Sequence, residues 1–457
     1  MISSLPPALS VSGLYERLLQ TALRRFLPRA TVERQPAVAD SPPERPGIEV
    51  TGDPGVLAMR SFDARYLLRV PADRPFSGHE VRLATVVAAV LEARHAAVFD
   101  PRLMADRADL FQGDLEDRYV GAFLAGDEDR LEGRWQRADQ IADAIAVLRV
   151  AALSSYENRP ISTGVLLLDS DDDPCLHRRV PENAVRYTRA LTGVKSFYRL
   201  CDGLRTVVLV NRSGQMIDIV DIARWAGEAS GGRTLQVPCA ATFHPHARAT
   251  LDNGHVCAVL SPTHEIKVFA GGTQVFGFRG ASWRLLDLEA KFRLWARAVG
   301  HPVLAERLFR VALDLSDARE GALFVVLRNP LNAMAQLLAS SDIIMDNPAR
   351  PPDAGLTRRD FSFLMSSRNV TTLDESVLAG FASMDGATVC DRDGRLVAVG
   401  AILRHPAPPP GRGPSADGVT EGARSTAALA ASRFGPVLKV SEDGGIVCYD
   451  RTKLWEL

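Results

Sequence analysis

Residues 385–403 read DGATVCDRDGRLVAVGAIL, which is two apolar runs separated by a turn signal. The first run follows an Asp-Gly step, and DRDG supplies the polar and flexible residues that a hairpin turn requires. A shorter apolar run, GALFVVL at 321–327, is typical of a strand buried on both faces. Helical patterns lie between these runs. This alternation of strands and helices predicts an α/β fold for the C-terminal part of the chain.

Length and charge limit the possible classes of protein. The chain has 457 residues, 46% of them hydrophobic, which is too long for one compact core and predicts two or three domains. Its 54 basic and 55 acidic residues nearly cancel, which argues against a protein that coats nucleic acid or an anionic membrane. We place a boundary at GHP (300–302), between an α+β N-terminal region at 1–300 and a C-terminal domain at 302–457.

Several features predict a cytoplasmic protein. No apolar stretch reaches the roughly 20 residues that span a bilayer, and the N-terminus lacks the pattern of a signal peptide. No C-x-x-C pair is present, so a zinc ribbon or redox motif is not predicted. The cysteines are spread singly and read as reduced core residues: Cys175, Cys201, Cys239, Cys257, Cys390 and Cys448.

The N-terminal region divides near 160–200, where its pattern changes. Helical spacing covers 79–99, 134–156 and 283–299, and one strand is predicted at 58–70. Short β-rich runs begin at 204 and are separated by Gly, Asn, Ser and Pro. The run TGVLLLD at 163–169 resembles EGALFVVL only faintly. No internal repeat is therefore predicted.

Asp385 is the first candidate site residue. A carboxylate at a strand edge with a glycine beside it can hold Mg²⁺ or Mn²⁺ near a phosphate, since hard cations bind oxygen ligands. Gly386 lets the backbone approach a ligand closely, and Ala387 opens the strand. The alternative is an ordinary Asp-Gly turn, which explains the dipeptide without a ligand.

The stretch GARST at 422–426 is the second candidate, because free N–H groups and the dipole at a helix start favour an anion. Arg424 has the geometry to clamp a phosphate, although Ser425 and Thr426 have an alternative role as helix caps. The stretch SEDGG follows with Ser441 and Glu442; Glu442 is a candidate metal ligand, and a hairpin turn is the alternative.

Two other stretches give weaker signals for a metal. In HPHAR, His244 and His246 lack a third ligand at a telling spacing, whereas zinc sites normally need three or four protein ligands. In DSDDD, at 169–173, the glycine and the distal glutamate of a calcium loop are missing, so an acidic surface turn is predicted.

The order of the C-terminal motifs resembles the diadenylate cyclase domain family. The motifs are ALDLSDAREGALFVVL, MDGATVCDRDGRLVAVGAIL, GARSTAALAAS and VLKVSEDGGIVCYD, and together they cover about a third of the chain. The resemblance implies a mixed β-sheet flanked by helices, which condenses two ATP into cyclic di-AMP and two pyrophosphates with Mg²⁺ or Mn²⁺. It also implies a homo-oligomer whose cyclase domains meet face to face, and the N-terminal region is similar to attached sensor regions.

The resemblance assigns roles to residues of this chain. Asp385 matches the acidic residue that helps to activate the 3′-hydroxyl and bind metal, and Glu442 matches a possible metal contact. The nucleotide-binding positions implied are Gly386, Ala387, Gly422, Ala423, Arg424, Ser425, Thr426 and Ser441.

The chain departs from the family within the phosphate loop. Ser425 and Thr426 occupy the family's His-Arg positions, and Ala423 replaces a threonine. The loop thereby loses a cation and an imidazole, which weakens the hold on a triphosphate. Two functions follow as hypotheses, a diadenylate cyclase-type enzyme and a catalytically impaired nucleotide-binding sensor. A structural or interaction module built on the same fold is the third.

Overall fold

The protein divides into two compact units in a computed structural model. The N-terminal unit comprises Met1–Leu235 with Pro245–Asp287, and the C-terminal unit comprises Gln236–His244 with Leu288–Leu457. The division after Asp287 places the helix Leu288–Val299 in the C-terminal unit, whereas the sequence reading assigned it to the N-terminal region. The structure describes residues 10–27, 30–35, 47–62, 64–70, 75–111, 113–126, 135–156, 158–171, 183–344, 365–366, 368–404 and 422–457.

The first half of the N-terminal unit combines helices with a four-stranded antiparallel sheet of order β1-β4-β3-β2. Its strands are β1 Thr31–Gln35, β2 Gly47–Val50, β3 Val56–Ser61 and β4 Ala64–Arg69. Its helices are α1 Val11–Phe26, α2 Gly78–Phe99, α3 Pro101–Asp106, α4 Leu115–Leu124 and α5 Gln136–Ala152. Helix α2 begins with a capping box in which Ser77 and Glu80 satisfy each other's backbone N–H groups.

The second half of this unit forms a seven-stranded sheet of order β13-β12-β11-β10-β7-β8-β9. The short hairpin β5 Ser155–Tyr156 and β6 Arg159–Pro160 precedes it. The sheet strands are β7 Thr163–Leu167, β8 Thr206–Val210, β9 Met216–Asp221, β10 Val256–Leu260, β11 Ile266–Ala270, β12 Thr273–Arg279 and β13 Ser282–Leu285. The helices are α6 Ile222–Ala229 and α7 His244–Ala249, which starts in the segment assigned to the other unit.

The C-terminal unit is a mixed six-stranded sheet of order β16-β15-β14-β17-β18-β19. Its strands are β14 Ala322–Leu327, β15 Ala387–Asp391, β16 Leu396–Ala401, β17 Val437–Val440, β18 Ile446–Asp450 and β19 Thr452–Glu456. Its helices are α8 Leu288–Val299, α9 Pro302–Ala318, α10 Pro330–Leu337, α11 Glu375–Ala382 and α12 Ala423–Ala431. Strands β14 and β15 run parallel, and every other pairing in the sheet is antiparallel.

Strand β14 lies at the centre of this sheet and is buried along all six residues. Successive side chains of a strand point to opposite faces, so both faces of β14 must be covered. Leu323 and Val325 belong to one apolar cluster with Ala428 and Ala431 of α12, and α9 also packs on β14 and β17. The sequence prediction of a mixed sheet with helices is thus met at the level of the α/β class.

Three sequence predictions differ from the structure. Strand β13 occupies Ser282–Leu285, where a helix from Trp283 was predicted, and the helix begins only at Leu288. The single strand predicted around 58–70 is the hairpin of β3 and β4. Six strands of the seven-stranded sheet also have the same order and directions as the six strands of the C-terminal sheet, although no internal repeat is predicted.

No helix of the described part of the chain is both long and apolar enough to cross a membrane. The five cysteines within the described residues are buried and form no disulfide: Cys201, Cys239, Cys257, Cys390 and Cys448. Cys175 lies outside the described residues.

Candidate functional site

The Asp385-Gly386 step directly precedes β15 of the C-terminal sheet. Gly386 has a φ of +109°, a conformation that side chains rarely adopt. A Cβ there would overlap the backbone of Gly400, so the step can be built only with glycine. Ala387 is buried and pairs with Ala401, while the Asp385 side chain is 93% exposed. The turn therefore holds a solvent-facing carboxylate directly before a fixed strand.

The GARST stretch forms the start of helix α12. Gly422 is the N-cap, and its carbonyl oxygen accepts the N–H groups of Ser425 and Thr426 at 2.8 and 3.3 Å. No side chain caps this helix, so the alternative role of Ser425 and Thr426 as N-caps is wrong. The first N–H groups of any helix lack intrahelical partners, and here they follow a residue without a side chain. Ala423 and Thr426 are exposed.

Arg424 joins the separate motifs. Its Nη1 donates to Oε1 of Glu442 at 3.0 Å, and its Nη2 lies 3.8 Å from Oδ1 of Asp385. A Cβ on Gly321 would overlap the guanidinium, so the missing side chain at this position makes room for Arg424. One cation therefore faces two carboxylates that come from different turns of the chain.

Ser441 and Glu442 lie in the turn between β17 and β18. The N–H of Ser441 donates to Gly445 O and the Ser441 carbonyl accepts from Gly444 N, both at 2.8 Å, which is the hairpin turn of the alternative reading. The Ser316 hydroxyl donates to the Gly444 carbonyl and fixes the turn against α9. The Glu442 side chain is 74% exposed and extends from this turn to Arg424.

A second cation lies beside the loop. Lys439 of β17 donates from Nζ to Oγ of Ser425 at 2.6 Å. Ser425 is buried, and Lys439 lies on the strand face that also carries Val437, which packs in the apolar cluster with Ala428. An ammonium on an apolar face is costly unless polar groups bind it. The Ser425 hydroxyl supplies one such group.

The described residues give no protein-only metal centre, since no group of three or more His, Cys, Asp and Glu side chains converges among them. The two histidines of HPHAR have different environments. His244 is exposed, whereas His246 is buried in α7 with Nε2 2.8 Å from the Gly203 carbonyl oxygen. In the acidic stretch, Asp169 pairs with Arg212 and Asp171 accepts from Ser213, as in a surface turn; Asp172 and Asp173 lie outside the described residues.

Sequence reasoning missed Gly321 and Lys439 as members of this site. Gly321 stands in the quoted Gly-Ala-Leu motif, but only the fold reveals that the guanidinium of Arg424 occupies the space beside it. Lys439 interrupts the apolar run VLKV, and this cation within a buried strand is the signal that marks it in the sequence. The partners of both residues come from distant parts of the chain.

Comparisons with known proteins give distant structural likenesses. No protein-family model matches the chain, and no curated protein matches it. Among solved structures, a hypothetical membrane spanning protein from Bacillus cereus is 19% identical with a TM-score of 0.22, covering 32% of this chain and 59% of that one. DacA from Staphylococcus aureus, solved as a double cysteine mutant, is 17% identical with a TM-score of 0.20, covering 33% and 83%. Because both TM-scores are low, the proposals below depend on the residues of this chain.

Proposed function

We propose that the C-terminal unit is a diadenylate cyclase-type nucleotidyltransferase domain, which makes cyclic di-AMP from two ATP and is regulated by the N-terminal region. The single observation that supports it is the position of Arg424 between Asp385 and Glu442. Three motifs that are separate in sequence supply one exposed group of charges beside the start of α12. A polyphosphate needs cations and free N–H groups, and a metal bound to that polyphosphate needs carboxylates.

Arg424 and the start of α12 would bind the phosphates. Guanidinium–phosphate hydrogen bonds are charge-assisted and about twice as strong as neutral ones. The ion pairs with Asp385 and Glu442 hold the guanidinium at the site before ligand arrives. Since both carboxylates are largely exposed, they can release it to phosphate at a small cost, because exposed ion pairs contribute about 0 to 1 kcal/mol.

Asp385 would act on the reacting hydroxyl. In the proposed reaction the 3′-oxygen of one ATP forms a bond to the α-phosphorus of the other, the bond from that phosphorus to the pyrophosphate leaving group breaks, and the hydroxyl proton passes to the carboxylate of Asp385. Two such displacements close the ring. Asp385 is suited to this step because its carboxylate is exposed, while the backbone of the adjacent Gly386 packs too closely against Gly400 to admit a side chain.

The residues fit Mg²⁺ or Mn²⁺ held jointly with substrate. Asp385 and Glu442 supply two carboxylates, which is too few for a protein-only centre but matches an ion that keeps phosphate oxygens and waters as further ligands. Such an ion supplies charge neutralisation on the phosphates. We also propose a homo-oligomer with face-to-face cyclase units, because each unit offers one such site and the product joins two nucleotides.

The direct test uses the purified full chain with ATP and Mn²⁺, with product identified by mass spectrometry. We expect cyclic di-AMP from the wild type and none from Asp385→Asn. The matched control is Asp443→Asn, a carboxylate in the neighbouring turn whose Oδ1 accepts from Gly445 N, a bond that asparagine retains. No cyclic di-AMP from the wild type would refute the enzyme proposal.

A catalytically impaired nucleotide-binding sensor is the second candidate, and the loop itself favours it. Ser425 and Thr426 provide neither an imidazole nor a second guanidinium, and the Ser425 hydroxyl is bound to Lys439. This arrangement retains groups that attract phosphate but lacks one that would stabilise the charge developing in transfer. It predicts saturable ATP binding by calorimetry without product, and absence of binding would rule it out.

A further inference from the structure

The seven-stranded sheet of the N-terminal unit repeats the fold of the C-terminal sheet. Read from one edge, β9-β8-β7-β10-β11-β12 corresponds to β16-β15-β14-β17-β18-β19. In both, the central strand is parallel to one neighbour and antiparallel to the other, and the flanking strands are antiparallel hairpins. Strand β13 adds one strand at the far edge. A mixed order of six strands with identical directions and chain order is a specific pattern.

The turns of the two sheets correspond in detail. An Asp-Gly step with positive φ at the glycine precedes the second strand of each parallel pair: Gly203 (+74°) is separated from the start of β8 by two residues, and Gly386 (+109°) lies directly before β15. The next hairpin is closed by Gly214 N to Asn211 O at 3.0 Å in one sheet and by Gly394 N to Asp391 O at 3.1 Å in the other.

The serine turn is also repeated. Ser261 donates its N–H to Glu265 O at 2.8 Å and accepts from His264 N, as Ser441 does with Gly445 and Gly444. This turn lies between β10 and β11 in the N-terminal unit and between β17 and β18 in the C-terminal unit. The structure thus contains the same scaffold twice, including the turns that carry candidate site residues in the second copy.

The helix before β10 and the helix before β17 present different side chains to the Asp-Gly step of their sheet. Helix α12 presents Arg424, 35% exposed, to the carboxylates of Asp385 and Glu442. Helix α7 instead carries His246, which is fully buried, with its Nε2 2.8 Å from the carbonyl oxygen of Gly203. The ring therefore hydrogen-bonds to the glycine of the Asp-Gly step, whereas in the C-terminal sheet Nη2 of Arg424 lies 3.8 Å from the aspartate of that step.

The aspartate of the first copy is also committed to its own turn. Oδ1 of Asp202 accepts the N–H groups of Leu204, Arg205 and Thr206 at 2.8–2.9 Å. Asp385 instead extends its side chain into solvent. In the N-terminal sheet, the His246 ring and the Asp202 carboxylate are therefore both hydrogen-bonded to the protein's own backbone.

We infer that the N-terminal unit contains a second, closed copy of the nucleotide fold, so that each chain takes up one nucleotide, on its C-terminal unit. In the closed copy the hydrogen bond from His246 to Gly203 replaces the ligand. This inference rests on the proposed function, which locates the nucleotide site of the C-terminal unit at Arg424.

The state of His246 supports the structural role. Burial lowers the pKa of His246 below its usual value, despite the bond to Gly203 and the nearby charge of Asp202, so the ring is neutral at pH 7. A neutral imidazole that is already bonded to a carbonyl gives no attraction for a polyphosphate. The copy that contains Arg424 retains a permanent cation.

The test measures stoichiometry by calorimetry on the full chain, with a non-hydrolysable ATP analogue and Mg²⁺. We expect one nucleotide per chain, with affinity lowered about tenfold or more in Arg424→Ala and unchanged in Arg248→Gln, the matched change on α7. Two nucleotides per chain, or binding that is lost in Arg248→Gln and kept in Arg424→Ala, would overturn the inference.

A second measurement does not depend on nucleotide. His246→Ala should lower the thermal midpoint by about 2 °C or more, because a lost buried hydrogen bond shifts a domain of this size by that amount. His246→Gln, which can still donate to the Gly203 carbonyl, should recover part of the loss, and the exposed His244→Ala should have little effect. An unchanged midpoint in His246→Ala would overturn the closed-copy inference even if no nucleotide binds, a result that would separately contradict the proposed function.

Discussion

Nη2 of Arg424 lies 3.8 Å from Oδ1 of Asp385, although Arg424 lies in the first turn of the helix before β17 and Asp385 precedes β15. Strands β15 and β17 are not neighbours, because β14 separates them in the sheet. Only the fold brings these charges together, and Glu442 holds the guanidinium from the other side at 3.0 Å. Arg424 is therefore preorganised, which lowers the ordering cost of binding a ligand there.

Replacing Arg424 should weaken nucleotide binding more than it weakens the fold. Arg424→Ala is expected to raise the Kd for ATP by about 10-fold to 100-fold, because a hydrogen bond to a charged group contributes about 1.5–3 kcal/mol. Arg424→Lys should give a Kd between those of the wild type and Arg424→Ala, since an ammonium keeps the charge but loses the planar fork of the guanidinium. The control is Arg433→Ala, at an exposed arginine, and calorimetry measures the Kd for ATP of each variant. Equal Kd values in Arg424→Ala and Arg433→Ala would contradict the phosphate role.

Gly321→Ala should imitate the loss of Arg424 without touching it. The added Cβ would overlap the guanidinium, which is the far end of a flexible side chain and can move away. We expect a nearly unchanged thermal midpoint and an ATP affinity close to that of Arg424→Ala. The double variant should bind no worse than Arg424→Ala alone, because both changes act on one contact. Additive losses would show that Gly321 acts independently of Arg424.

Gly386→Ala is the contrasting change at the same site. Here the Cβ would overlap the backbone of Gly400, and the φ of +109° disfavours any side chain. We therefore expect a loss of stability, in contrast to Gly321→Ala. Thermal unfolding of the two variants side by side separates them, and equal midpoints would contradict the close approach of the two backbones.

The sequence predicted the strands better than their partners. Runs such as ALFVVL and ATVC are strands as predicted, because alternation and apolar length are local properties. The parallel pairing of β14 with β15 depends on contacts far apart in the chain, which periodicity does not report. At 283–285 the sequence predicts a helix, but these residues form a strand because they pair with β12.

The repeated fold was hidden for a similar reason. The two copies share strand directions and turn hydrogen bonds, which depend on the backbone, while their side chains differ, as His246 and Arg424 do. The chain between TGVLLLD and Asp202 also differs in length from that between EGALFVVL and Asp385. A comparison of letters at a fixed offset therefore fails where a comparison of topology succeeds.

Stability should depend on pH through Asp314. Burial raises the pKa of this carboxyl from 3.8 to about 6, although the N–H of Ala241 donates to it. The folded state then holds the proton more tightly between roughly pH 4 and 6, so this group's contribution to stability falls as pH rises through that window and stays low above it. Asp314→Asn should raise the free energy of unfolding by about 1–2 kcal/mol at neutral pH and change it little near pH 4.

Chemical denaturation at both pH values tests Asp314→Asn, and the exposed Asp393→Asn is the control. Asparagine keeps an acceptor for Ala241 N, so the comparison isolates the charge. The same change in stability at both pH values would show that ionisation of Asp314 is not the cause.

Lys439 should contribute charge to the phosphate loop. Its ammonium lies 2.6 Å from the Ser425 hydroxyl at the first turn of α12, where a polyphosphate is proposed to bind. Lys439→Met is expected to raise the Kd for ATP about 3-fold to 10-fold, with a smaller difference in high salt because of screening. Ser425→Ala, which removes the hydroxyl but keeps the charge, should change the Kd less. A larger effect in Ser425→Ala would assign Lys439 a purely structural role.

Placing the His-Arg pair of the diadenylate cyclase family in the GARST stretch tests whether the proposed site lacks groups that turnover requires. Ser425→His with Thr426→Arg adds an imidazole and a guanidinium, and Thr426 is exposed and has room for the longer side chain. Ser425 is buried against Lys439, so a histidine there must displace the ammonium. We therefore expect the greatest gain in cyclic di-AMP formation when Lys439→Val accompanies the two loop changes. Thr426→Arg alone is the control, measured by initial rates with Mn²⁺. If the triple variant binds ATP but makes no more product than the control, the missing loop residues are not what limits catalysis.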